Sequence, residues 1–351
     1  MRERASFVRL LYATRQSGET KGDAMKTLLV TCCSAVIAGA YLFGAPAAMA
    51  ADSKPRVAVV VMANNSEYWN TVRVGAEQAG KATGADVVFL GPSAESDVIG
   101  EVNMVEDQIS SGAAALVVAA SDKSAFIPSF NKAKGKNIPV VLIDTAVPWG
   151  DAVSLVGTDN VAAGGEAGKY LAGKLKSGDK VAVLRGIMSS PTHDDRANGG
   201  VKEFKAAGLD VVAVLPADSL RNKGYSVTED LLQSNPDLKG IYATNDEMAL
   251  GAQQALQAAG KKIPVVGFDA TLDATMSILG GGMSASIAQN PILEGYVGVE
   301  MAMAALKKQA VKKRYDTGVQ VVTADNAKAF LANMQSALTV GIDRAKYPPI
   351  Q

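Results

Sequence analysis

From residue 56 onward, short apolar runs alternate with longer segments whose apolar positions recur at helical spacing. The runs at 56–62, 86–90, 115–119 and 139–143, and again at 180–184, 210–215, 240–243 and 264–268, are rich in Val and Ile and almost uninterrupted. A strand with water on one face alternates; an uninterrupted one is buried on both faces. Segments such as 69–82 and 247–259 carry the spacing of helices that bury one side. Strand alternating with helix predicts parallel sheets with helices on both faces. Gly84, Gly112, Gly135, Gly208 and Gly260 fall where helices should stop in a left-handed residue, and Asp97 and Asn222 where N-caps are wanted. A helix at 292–308, a strand at 319–322 and a helix from Asp325 complete the pattern.

The pattern occurs twice. Counting from Val57, apolar runs begin 30 and 59 residues on at Val87 and Leu116, and runs close on polar residues 65 and 87 residues on at Asp122 and Asp144. Counting from Val181, Val211, Ile241, Asp246 and Asp269 stand at offsets of 30, 60, 65 and 88. Two similar α/β lobes are predicted, each with polar side chains at the carboxyl edge of its sheet. In an open parallel sheet that edge is where ligands bind.

A chain of 351 residues can form two domains with sizeable cores. Its first 50 residues read as an export signal. Lys26 precedes an uncharged stretch at 27–44, and Ala48-Met49-Ala50 supplies the small residues of a cleavage site, so a mature protein beginning at Ala51 is expected. Met25 is a second candidate start, which would make 1–24 an extension. An uncleaved anchor is the alternative, although the Ala-rich exit favours cleavage; a lipid-anchored Cys32 fits poorly, with Thr31 before it and a very short apolar run. Cys32 and Cys33 both lie in this segment, so no disulfide or thiol chemistry is expected in the mature protein. Six basic and three acidic residues in the first 50 leave 29 and 32 from Ala51 onward, about −3. A basic patch suited to nucleic acid is not indicated. Neither a Gly-x-Gly-x-x-Gly after a strand, a phosphate loop, His-Glu-x-x-His nor Gly-x-Ser-x-Gly occurs. An enzyme, a cofactor and a metal site are therefore not expected.

The stretches Ala243-Thr-Asn-Asp-Glu-Met-Ala-Leu-Gly-Ala252, Val265-Val-Gly-Phe-Asp269 and Ala288-Gln-Asn-Pro291 resemble the ribose-type periplasmic sugar-binding proteins, the solute receptors of ABC importers. Pro139-Val-Val-Leu-Ile-Asp144, Gly157-Thr-Asp-Asn160 and Pro216-Ala-Asp218 extend the resemblance over roughly 56–323. It implies the type I periplasmic binding protein, or Venus-flytrap, architecture: two doubly wound parallel-sheet lobes joined by three hinge strands and closing over a ligand. Crossings near Thr158-Asp159, Gln289-Asn290 and Gly318 would divide the chain into a first lobe of 51–158 plus 290–318 and a second of 159–289 plus 319–351. A monomer that takes a sugar or polyol in the periplasm and hands it to a membrane permease is the implied function. A secreted sensor subunit presenting its bound form to a membrane kinase or chemoreceptor is the alternative. The lactose-repressor family shares the two-lobe plan, but the signal-like N-terminus stands where its DNA-reading helices would be.

A sugar presents hydroxyls at its edge and C–H on its face, so planar polar groups and aromatic rings suit it. Tyr68 and Trp69 stand where the family places stacking rings, though they could simply cap a core. Asp144 and Asp269, equivalent in the repeat, are candidate hydroxyl acceptors or else N-caps. Asn245 and Gln289 match the family's amide contacts, and Arg196 its cleft arginine, although a loop ion pair would also account for Arg196. Met62, Ser66, Ser121, Asp122, Thr145 and Ser219 are weaker candidates, Asp122 as readily a helix cap. His193, read as a solvated loop residue, is assigned no role. Thr145 and Ser219 depart from the family, which commonly has an arginine and an aromatic there; extra room in the cleft is expected.

Overall fold

The computed structural model describes residues 54–351; the export signal expected over residues 1–50, with Met25, Cys32 and Cys33, lies outside the described residues. Two six-stranded sheets form in the same order. In the first, β1 (Arg56–Val60) lies between β2 (Asp86–Leu90) and β3 (Ala115–Val118), followed outward by β4 (Val140–Ile143), β5 (Leu155–Gly157) and β11 (Arg314–Asp316). In the second, β6 (Lys180–Arg185) lies between β7 (Asp210–Pro216) and β8 (Gly240–Ala243), followed by β9 (Val265–Asp269), β10 (Ala285–Ala288) and β12 (Gln320–Val322). All neighbours run parallel except β12, antiparallel to β10. The fold is thus two doubly wound α/β lobes. In each, the order reverses beside the first strand, and that switch point opens a crevice at the carboxyl edge.

The uninterrupted apolar runs explain the burial. β1, β3, β4, β8 and β10 are buried almost end to end, with a cluster of packed side chains on each face of each sheet. Helices α1 (Glu67–Thr83), α2 (Val98–Ser110), α3 (Ile127–Gly135) and α9 (Pro291–Leu306) belong to the first lobe, and α4 (Asn160–Ala172), α5 (Pro191–Ala206), α6 (Arg221–Ser234), α7 (Asp246–Ala258) and α8 (Leu272–Leu279) to the second. Gly84, Gly112, Gly208 and Gly260 take positive φ as expected, and Asp97 accepts from Gly100 N–H. Gly135 does not: it stays inside α3, and the left-handed residue is Asn137 at φ 58°. Asn222 is not a cap, because α6 already begins at Arg221 with Leu220 before it.

The chain leaves the first sheet after β5, returns after β10, and leaves again between β11 and β12, where Gly318 takes φ 72°. A further passage follows α10 (Ala327–Thr339). Ile342, Tyr347 and Ile350 pack on the first lobe's core, while the Ile350 and Pro348 carbonyls accept from Lys312 N–H and the Tyr315 hydroxyl. The last residues of 319–351, which the sequence reading attaches to the second lobe, therefore rest on the first.

Candidate functional site

The carboxyl edges of the two sheets face each other, and the polar strand ends meet there. Asp144 follows β4, Asp269 ends β9, Asn245 follows β8 as the N-cap of α7, and Gln289 follows β10. Both aspartates hold the left-handed backbone, at φ 57° and 110°. Such a conformation strains a non-glycine residue by about 1–3 kcal/mol and persists only where the surroundings impose it. Asp144 there reaches Thr192 and Arg196 of the second lobe, and Asp269 reaches Arg196 and Gln289.

Arg196 bridges the pair. It lies on α5, not in a loop, and is 3% exposed. α5 packs against α4 without room for a side chain between them: a Cβ on Gly164 would fall 2.1 Å from the Arg196 carbonyl oxygen. The guanidinium lies 3.9 Å over the Phe268 ring, donates to Asn160 Oδ1 at 2.9 Å and to the Thr244 carbonyl at 3.1 Å, and reaches Asp144 Oδ1 at 3.4 Å and Asp269 Oδ1 at 3.6 Å. Burial acts against its charge, but Asp269 and Asp144 outweigh that and raise its pKa. Burial also drives the Asp269 carboxyl well above the usual range, because desolvation exceeds what Arg196 and the Gln289 amide, 2.9 Å away, restore.

A cavity of about 30 Å³ lies among these groups, lined by Tyr68, Trp69, Asp144, Arg196, Asn245, Asp269 and Gln289, with Met62 and Ser66 at its margin. The two rings meet edge to face at 4.9 Å. Tyr68 gives its hydroxyl to Glu294, and the Trp69 indole N–H points at Glu95, so each ring's polar atom is turned away from its faces. Four weaker candidates do not line the cavity. Asp122 accepts from Ser124 and Ala125 N–H and closes a local turn. Ser121 is buried behind, with its carbonyl accepting from Ser189 Oγ. The Thr145 hydroxyl bonds to Asp144 Oδ2 and Thr192 Oγ1. Ser219 Oγ bonds to His193 Nε2 at 3.0 Å.

His193 was expected in solvent; the structure buries it on α5 against the cavity, between Thr244 and Ser219 and 3.6 Å from Glu95. The room expected from Ser219 is taken by this imidazole. Glu67, Glu95, Ser190, Thr192, Glu247 and Thr271 also line the cavity and were not singled out from the sequence. Thr192 and His193 stand four and three residues before Arg196 on one helix, a spacing that shares a face and could have marked them. Glu95 sits in an irregular segment with no periodicity to reveal it. Burial raises it and its hydrogen bond to His193 lowers it; with Ser219 and Trp69 adding to the lowering, its pKa falls below the usual carboxylate value.

Residues 57–310 match the family described as periplasmic binding protein domain. The chain belongs to that family. The ribose import binding protein of Haemophilus influenzae is 34% identical over 82% of this chain and 98% of its own length. Among solved structures, an ABC transporter solute-binding protein from Agrobacterium vitis with bound D-fucose superposes with a TM-score of 0.77 at 34% identity, covering 80% of this chain and 99% of that one. A solute-binding protein from Actinobacillus succinogenes with bound D-allose gives 0.74 at 30% identity, over 79% and 100%. The relatives are binding proteins of transport systems, not enzymes.

Proposed function

We propose that this protein is a periplasmic receptor that takes a monosaccharide or related polyol between its lobes and delivers it, as a monomer, to the permease of an ABC importer. Residues 1–50 serve as the export signal, and the crossings near 158–159, 289–290 and 317–319 act as the hinge between lobes of 51–158 plus 290–318 and 159–289 plus the β12–α10 segment.

The observation that carries this reading is the pair of facing aspartates joined by Arg196, with buried acceptors around them. Ser190 Oγ is buried without a hydrogen-bond partner in a residue that lines the cavity, and Glu95 Oε2 there faces only His193 Nε2, 3.6 Å away. Vicinal hydroxyls supply what they need, donating to carboxylate and amide oxygens while accepting from the guanidinium; each charge-assisted bond contributes about 1.5–3 kcal/mol. Trp69 and Tyr68 offer ring faces to the C–H surface of a sugar. Ribose, fucose and allose, named for the relatives, share this chemistry.

The lobes are drawn together in the structure. Thr145 meets Thr192 at 2.8 Å, Ser189 donates to the Ser121 carbonyl at 3.2 Å, and Leu272 N–H donates to Glu67. The cavity is walled by residues of both lobes, so entry requires the lobes to part. A ligand touching both walls then favours the closed arrangement. A thermal-shift screen against pentoses, hexoses, polyols and cyclitols tests the assignment. A ligand at 100 times its Kd stabilises by about 2.7 kcal/mol; a screen in which no sugar or polyol shifts the melting temperature sinks it.

A further inference from the structure

Beside the interlobe cavity lies a larger one of about 350 Å³, within the size of small-molecule sites. Glu67, Tyr68, Asp269, Thr271 and Gln289 border both spaces. Its far wall includes Thr317–Gln320 between β11 and β12, Phe330, Met334 and Ala337 of α10, and Tyr347 of the terminal segment, alongside residues of the α1 and β9–α9 region. The wall residues from Thr317 onward lie beyond residue 310, where the family match ends. The exposed Asn333 on the same wall opens the cavity to solvent.

Two buried polar atoms on the rim lack partners. Gln289 donates its Nε2 to Asp269, while its Oε1 has no hydrogen bond; Thr317 Oγ1, in a residue 8% exposed, has none either. A single amide thus serves the sugar site with one end and offers an acceptor with the other. Opposite stand the apolar atoms of Phe330, Met334 and Ala337, so the occupant should carry both a hydroxyl and a C–H or aromatic face.

We propose that the two cavities are one binding site and that its ligand is a substituted sugar, a glycoside or disaccharide, whose second unit lies between the hinge and α10. The inference rests on the sugar-receptor reading and extends it. A free monosaccharide fills the half bounded by Asp144, Arg196 and Asp269; the second unit hydrogen-bonds to Gln289 Oε1 and Thr317 and packs on α10. The open side lets that unit vary in length.

Calorimetric titration of the purified protein with D-ribose, D-fucose and D-allose, and with the phenyl glycoside of each in both anomeric forms, tests this. At least one glycoside should bind as tightly as its free sugar or tighter. Ala337→Trp, which fills the second cavity from outside the sugar half, should weaken that glycoside tenfold or more and leave the free sugar within twofold. Met334→Trp makes the same demand should the first variant fail to fold. Binding of free sugars with exclusion of every glycoside overturns the proposal alone, as does a glycoside whose affinity both filled variants retain. Binding of neither class overturns this proposal, and a blank thermal-shift screen besides overturns the receptor reading beneath it.

Discussion

Replacing Arg196 by methionine removes the central charge while keeping much of the side-chain volume over Phe268. The change removes a donor from four acceptors at once, Asn160 Oδ1, the Thr244 carbonyl, and the Asp144 and Asp269 carboxylates, and takes the neutralising charge from the two carboxylates. Removing one partner of a buried ion pair costs about 3–5 kcal/mol, because the remaining charge stays out of water. A carboxylate can escape that cost by taking a proton. The escape costs about 1.4 kcal/mol per pH unit above an ordinary pKa near 3.9, which is about 4 kcal/mol at pH 7 and about 1.5 at pH 5. Asp269 is already raised with Arg196 present, by burial; without the guanidinium it rises further. A group raised in the folded state weakens folding above its unfolded pKa, so the deficit of Arg196→Met shrinks as pH falls. Urea unfolding of both proteins, without ligand, at pH 7 and pH 5 measures it. A loss of about 3–5 kcal/mol at pH 7 that falls by at least 1 kcal/mol at pH 5 is expected. A loss under about 1 kcal/mol, or one that does not change with pH, would refute the claim that Arg196 holds two desolvated carboxylates.

Gly164→Ala should displace α5, since the new methyl meets the Arg196 carbonyl oxygen; a loss of about 1–3 kcal/mol in stability and at least tenfold in sugar affinity is expected by unfolding and calorimetry. Glu101 is fully buried in α2, receives Ser121 N–H at 3.4 Å, and is pushed by desolvation to about 8. Wild type should therefore lose stability as pH rises from 4.5 to 8, and Glu101→Gln should escape this. The variant's advantage should grow with pH by about 1.4 kcal/mol per unit, to the order of 3–5 kcal/mol near pH 8; a flat difference speaks against a buried, protonated acid. Trp69→Ala should lower sugar affinity about tenfold or more by removing a ring face, and unchanged affinity would take Trp69 out of the site.

The doubly wound order was legible because strands buried on both faces cannot alternate, and β1, β3, β4, β6, β8 and β9 all carry that mark. β5, β10 and β11 were not, since three or four residues with Ser, Gly or charges among them match no period. Strand-end residues were legible for a related reason: Asp144 and Asp269 interrupt apolar runs at repeated positions. Side chains that enter the site from helix faces and irregular loops leave no such interruption. His193 shows the difference, since its charged neighbours Asp194 and Asp195 suggest solvent while the helix turns it inward. The passage of 342–350 back to the first lobe depends on contacts with Lys312, Tyr315 and Glu300, distant in sequence and chemically ordinary.

If the protein is a receptor, Asp144 and Asp269, from opposite lobes, grip one ligand. Calorimetric titration of the wild-type protein, Asp144→Ala and Asp269→Ala with the sugar found by the thermal screen tests it. One site in the wild type and a loss of a hundredfold or more in each variant are expected, with cooperative unfolding retained by both. Wild-type affinity in either variant would contradict that shared grip.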